Sequence, residues 1–99
     1  MMPVKITDRA LAEISQTFQH KNIPDGFGLR IGVRGAGCAG VSYVIGFDQP
    51  SEEDQVFNLE GVEVMIARKD YMHLIGKAVD FYEGDDARGF TFVDEEDTQ

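Results

Sequence analysis

The chain's only cysteine, Cys38, sits in GAGCAG, residues 35–40, directly after the apolar alternation of Leu29, Ile31 and Val33. A thiolate is both a nucleophile and a soft metal ligand. Backbone N–H groups left open by Gly35, Gly37 and Gly40 could donate to it or to a bound sulfide. Arg34, next to the loop, would favour the thiolate, and Tyr43, five residues past Cys38, either lines the thiol's surroundings or packs in the core. The same letters spell G-x-G-x-x-G, the fingerprint that cradles a dinucleotide pyrophosphate. That reading requires a helix directly after the glycines. The loop instead leads into VSYVIGF, β-branched and aromatic residues in period two, and no second strand–helix–strand unit completes a nucleotide fold. The pyrophosphate reading fails on context. A cysteine that merely fills space in a glycine-rich hairpin connection remains the competitor.

The other groups with chemical capacity read as structure. His20 falls near the end of a helix, where an imidazolium suits the C-terminus, and is expected on the surface. His73 is expected to pack rather than ligate. The acidic runs at 51–54 (SEED) and 94–97 (DEED) hold oxygen ligands that iron accepts, but such runs are usually solvated faces. Asp80 and Glu83 would lie on opposite faces of a strand and make no acid/base pair. No Ser/His/Asp or Cys/His arrangement is readable, so an enzyme is not expected. One cysteine makes no internal disulfide and no metal site alone. A metal would need a second subunit, a second protein, a small-molecule thiol or non-sulfur ligands.

The elements that must position the loop can be read from periodicity. Thr7 with Asp8 after it reads as a capped helix start, and Leu11, Ile14 and Phe18 carry that helix to about Lys21. NIPDG, residues 22–26, is turn chemistry. Strands are predicted over 29–33 and 41–47 on either side of the glycine loop, then a polar loop over 49–55, a short strand at 56–59 and another at 62–66. Residues 69–75 read as a short helix with Tyr71, Leu74 and Ile75 inward, and strands come next near 79–82 and 90–92. Tyr43, Met65 and Phe92 are core or dimer-surface residues, with core favoured for Phe92. The expectation is α+β, mainly antiparallel strands in two sheets, with residues 1–93 as one domain and 94–99 as an acidic, frayed tail.

Composition narrows the partners. The 99 residues carry a formal charge of −9, and their nine Lys and Arg are scattered, with only Arg68 and Lys69 adjacent, so neither nucleic acid nor anionic membrane is expected as a partner. No stretch approaches the ~18 apolar residues of a membrane span, and residues 1–7 lack a signal-peptide pattern. A soluble cytoplasmic protein is expected.

GFGLRIGVRGAGCAGVSYVIGFD resembles the signature of the A-type iron–sulfur carrier proteins, the HesB/IscA-like family, whose members hold a glycine-x-glycine-cysteine loop between two such strands. The likeness continues through GVEVMIARKDYMHLIGKAVDFYEGDDARGFTF, with its Asp80-Phe81 pair and its Gly89, Phe90, Phe92 ending. The resemblance implies a HesB-like fold, a homodimer or higher oligomer, and iron or an iron–sulfur cluster passed to recipient apoproteins. Cys38 matches the first of the family's three cysteines, so it is the implied metal ligand, with Gly35, Gly37 and Gly40 shaping its loop. The two cysteines of the family's C-terminal Cys-x-Cys motif have no counterpart before Gln99. A labile cluster that needs an external thiol is therefore expected. Ile75 and Gly46 also stand where members often carry an acid. A HesB-fold interaction or regulatory module without a cluster is the alternative, and a thiol-redox protein lacking a resolving cysteine a weaker one.

Overall fold

The helix start read at Thr7 is a true cap. Its backbone is extended (φ −70°, ψ 160°) and its hydroxyl accepts from the Ala10 amide at 3.3 Å. The computed structural model describes residues 2–35 and 40–97. From Thr7 the helix α1 runs over Asp8–His20, burying Ala10 and Ile14, and ends where the Lys21 amide donates to the Thr17 carbonyl at 3.0 Å. A two-residue strand, β1 (Lys5–Ile6), precedes it. Sequence pattern does not announce β1, because two residues carry no period, yet Val4 and Ile6 flank Lys5 as buried neighbours.

The glycine loop joins β2 (Gly28–Arg34) to β3 (Ser42–Asp48). β4 (Asp54–Leu59) and β5 (Val62–Ala67) form a second hairpin, and after it come a 3-10 turn (Arg68–Asp70) and the short helix α2 (Tyr71–Leu74). β6 (Lys77–Glu83) and β7 (Arg88–Asp94) close the fold. The four-stranded sheet has the order β3-β2-β5-β4 and the three-stranded sheet β1-β6-β7. The hairpin pairs are antiparallel, whereas β1–β6 and β2–β5 are parallel. The expected α+β class of two mainly antiparallel sheets holds. Between the sheets and α1 lies one apolar cluster that includes Ile14, Leu29, Ile31, Val64, Ile66, Leu74 and Val79. Two-residue alternation puts Gly28, Arg30, Gly32 and Arg34 on the opposite face of β2.

Several expectations change. Ile75 is 64% exposed, because α2 ends at Leu74 and only Leu74 of that turn is fully buried. His73 is exposed rather than packed. The polar segment 49–55 is not all loop: β4 begins at Asp54, whose side chain is 1% exposed. Residues 94–97, expected in the acidic tail, take part in the fold. Asp94 pairs with Lys77 at 2.6 Å, and Glu95–Asp97 forms a 3-10 turn tied by the Glu95 amide to the Gly76 carbonyl at 2.7 Å.

Asp54 is buried because Arg30 meets it side-on, Nη1 to Oδ1 at 2.7 Å and Nη2 to Oδ2 at 2.6 Å. The Ser51 amide donates to the same carboxylate at 2.8 Å, and Arg30 Nε reaches Asp48 at 2.8 Å. These bonds tie both edge strands of the sheet to its central β2. A matching bond set joins α1 to the smaller sheet: Thr7 Oγ1 and Arg9 donate to Asp80 at 2.7 and 2.6 Å. Arg9, then Thr7 and the Phe81 amide, holds the Asp80 carboxyl well below the usual range. The Arg30 and Ser51 bonds lower Asp54 from 3.8 to about 2.

A carboxyl whose folded value is depressed contributes stability that is fully present above its unfolded value and lost as pH falls through the folded one. For Asp54 that window runs from 3.8 down to about 2, and Asp80 acts in the same direction. Urea midpoints should therefore drop steeply on acidification through this window. Asp54→Asn should be destabilised by about 2–3 kcal/mol at neutral pH, since it leaves Arg30 half-paired. It should also lose less on acidification than the parent chain. Equal acid slopes in the two proteins would refute the assignment.

Candidate functional site

The connection that carries Cys38 is framed by two glycines in the left-handed region, Gly35 (φ +79°) and Gly40 (φ +82°). Those angles are inexpensive only without a Cβ. The last β2–β3 pair is Arg34↔Ser42, and Val33↔Tyr43 precedes it. Ala36, Gly37, Cys38 and Ala39 lie outside the described residues, and the expectations for Cys38 and Gly37 fall there. Arg34 is exposed at the end of β2. Tyr43 is half-buried, its ring stacked on Phe92 at 4.9 Å and 16°. It thereby joins the base of the loop to the smaller sheet as a packing residue. Met65 is fully buried.

β2 stays extended up to Arg34, and its support changes along its length. β5 pairs with it in parallel at Leu29↔Val64 and Arg30↔Met65. Beyond that point the Val33 amide donates to Asp70 Oδ2 at 3.2 Å. A carboxylate from the 3-10 turn thus serves where a strand carbonyl would otherwise accept. Gly32 makes room for it: a Cβ there would stand 3.0 Å from the same oxygen. Sequence reading missed Asp70, because a polar residue opening a short helix reads as a cap.

Charges of both signs meet at this end of the sheet. Arg34 ends β2, Arg68 and Lys69 come directly after β5, and Lys77 Nζ lies 5.9 Å from the Tyr43 ring centre. Arg68 turns toward the β4 edge, its Nη1 donating to the Glu52 carbonyl at 2.9 Å, and Lys77 is paired with Asp94 at 2.6 Å. Asp94 and Asp70 offset these cations in part. The other candidate ligands do not converge. Among the described residues no three His, Cys, Asp or Glu side chains are grouped to hold a metal ion. His20 is exposed at the end of α1, as expected. Gly46 lies on β3, and a Cβ there would meet nothing within 4 Å, so packing does not require its lack of a side chain.

A family model for iron–sulphur cluster biosynthesis matches residues 2–96. The iron-binding protein IscA of Enterobacter sp. (strain 638) is 38% identical over 93 residues, covering 93% of this chain and 85% of that protein. Among solved structures, Escherichia coli SufA, involved in the biosynthesis of iron–sulfur clusters, matches with a TM-score of 0.75 and 26% identity, over 97% of this chain and 82% of its own. A protein from Aquifex aeolicus solved by NMR matches with a TM-score of 0.69 and 36% identity, over 95% of this chain and 93% of its own.

Removing the Asp70 carboxylate should loosen the loop end of β2 alone. Asp70→Ala is expected to cost about 1–2 kcal/mol. Amide hydrogen exchange at Val33 should quicken far more than at Leu29 or Ile31. Unchanged exchange at Val33 in a folded variant would show that the carboxylate is not its partner.

Proposed function

Because the chain belongs to the iron–sulphur cluster biosynthesis family, we propose that it serves cluster assembly as a carrier or accessory protein, binding iron or a labile cluster as cargo through Cys38. The observation that carries this reading is the family match over residues 2–96, which spans the glycine-framed loop and both strands that hold it. The relative named for iron binding supports iron as the cargo.

The 99 residues supply one thiol, and a cluster ordinarily takes four protein ligands, most often thiolates. Two subunits of a homodimer would provide two. An external thiol such as glutathione, or a recipient's own cysteines, would complete the set. Binding starts with loss of the Cys38 proton, and the thiolate then donates its pair to iron. Release is the reverse by exchange: an incoming thiolate replaces Cys38 on the iron, and no oxidation or reduction is needed. Few ligands and weak holding suit transfer. On this reading the protein is a binding protein of the cytoplasm, not an enzyme. It works with assembly machinery or recipient apoproteins, not with nucleic acid or membrane. The single cysteine also favours a second reading, a module of the same fold that recognises partners without carrying a cluster.

Anaerobic reconstitution with iron and sulfide, with and without glutathione, separates the two. The parent chain should develop a visible sulfide-to-iron absorption band that strengthens with glutathione, and Cys38→Ser should not. A folded parent chain that stays colourless under both conditions would favour the cluster-free module.

A further inference from the structure

At the end of the four-stranded sheet remote from the loop, the C-terminal half of α1, the 22–27 turn and the β4–β5 hairpin enclose an open groove of about 530 Å³. Phe18 and Phe27, both half-buried, are its aromatic surfaces, and Phe18 is fixed edge-on against Phe47 at 5.0 Å. Asp25, Glu60 and Glu63 also line it, all exposed, and none takes part in an ion pair among the described residues. No Lys, Arg or His belongs to the described lining. Aromatic faces beside unpaired carboxylates favour a delocalised or alkylated cation, through cation–π attraction and charge-assisted hydrogen bonds together.

We propose that this groove docks an arginine- or lysine-bearing segment of a basic partner protein. A second copy of this chain is disfavoured by charge, since each carries −9. β2 runs from Gly28 beside the groove to Arg34 beside the loop, a span of about 20 Å at ~3.3 Å per residue. A partner held in the groove therefore leaves the thiol loop open. The partner's identity as an assembly or recipient protein rests on the function proposed above. The docking itself is independent of cargo.

Glu60 offers a clean variant. It occupies the left-handed region (φ +50°) beside Gly61 (φ +89°), in the two-residue connection after Leu59↔Val62. Asn suits such a position better than Glu, so Glu60→Asn removes the charge without threatening the turn.

The test is an NMR titration of the whole chain, free of iron and sulfide, with a pentapeptide carrying two arginines, its glutamate counterpart, and spermidine. The arginine peptide should shift the amides of Phe18, Phe27 and residues 60–63 saturably, less so as salt rises, and the glutamate peptide should not. Glu60→Asn combined with Glu63→Gln should weaken binding by about fivefold or more. Shifts spread equally over residues 51–54 and 94–97, or none at all, would overturn the proposal. Saturation of the groove by spermidine but not by the peptide would overturn it in favour of a small-amine site. Since no cluster is present, failure here leaves the reconstitution experiment to judge Cys38 separately.

Discussion

The glycine loop depends on a strand that outlives its own sheet. β2 is bounded by β3 along its whole length but by β5 only at Leu29 and Arg30, and the Asp70 carboxylate takes over at Val33. Without an acceptor there, a half-buried amide would be left unpaired just before the loop, a position where strands tend to fray. Gly32 answers the same requirement, because a side chain at that position would crowd the carboxylate that β2 needs. Tyr43 stacked on Phe92 supports the matching position on β3 from the other sheet. The strands on both sides of the loop are thus held by groups distant in sequence.

That dependence explains which features are legible in the sequence. Local rules find what local chemistry decides: the Thr7 cap, the α1 period through Ile14 and Phe18, and the alternation of β2 and β3. They fail where a distant partner decides. Asp54 sits in an acidic run and reads as solvated, yet Arg30, 24 positions earlier in the chain, draws it into the sheet. β1 is stabilised by parallel pairing to β6 over two residues, too few to show a period. Ile75 reads as inward only when a helical period is continued one residue past the point where α2 ends. For the site, the glycines at 35 and 40 are visible as positions of special backbone. Asp70 is not, because nothing in its neighbourhood announces a bond to Val33.

Charge adds a second level of organisation to the same sheet. A net charge of −9 treated as uniform predicts repulsion of anything anionic, including a thiolate-ligated cluster. The distribution is not uniform. Arg34, Arg68, Lys69 and Lys77 stand among Glu52, Glu53, Asp70 and Asp94 at one end, whereas Asp25, Glu60 and Glu63 border the groove at the other with no Lys, Arg or His in its described lining. Charges separated by about 20 Å lie roughly two Debye lengths apart at physiological ionic strength, so each end acts on its own ligand with little cancellation. On the two proposals, a cargo at the loop and a cationic partner in the groove would occupy separate ends of one small domain.

The same separation bears on why weak cargo binding is workable. On the function proposed above, a site with one thiol per subunit would hold a cluster by few ligands, so residence would be short unless the recipient is already near. A remote contact that keeps the recipient beside the carrier raises its effective concentration without adding a ligand to the metal. It also leaves Cys38 free to be displaced, which a tighter metal site would resist. On the two proposals, affinity for the partner and lability toward the cargo would be separate properties, one set by Phe18, Phe27 and the carboxylates around them, the other by the loop whose flanking strands Asp70 and Tyr43 support.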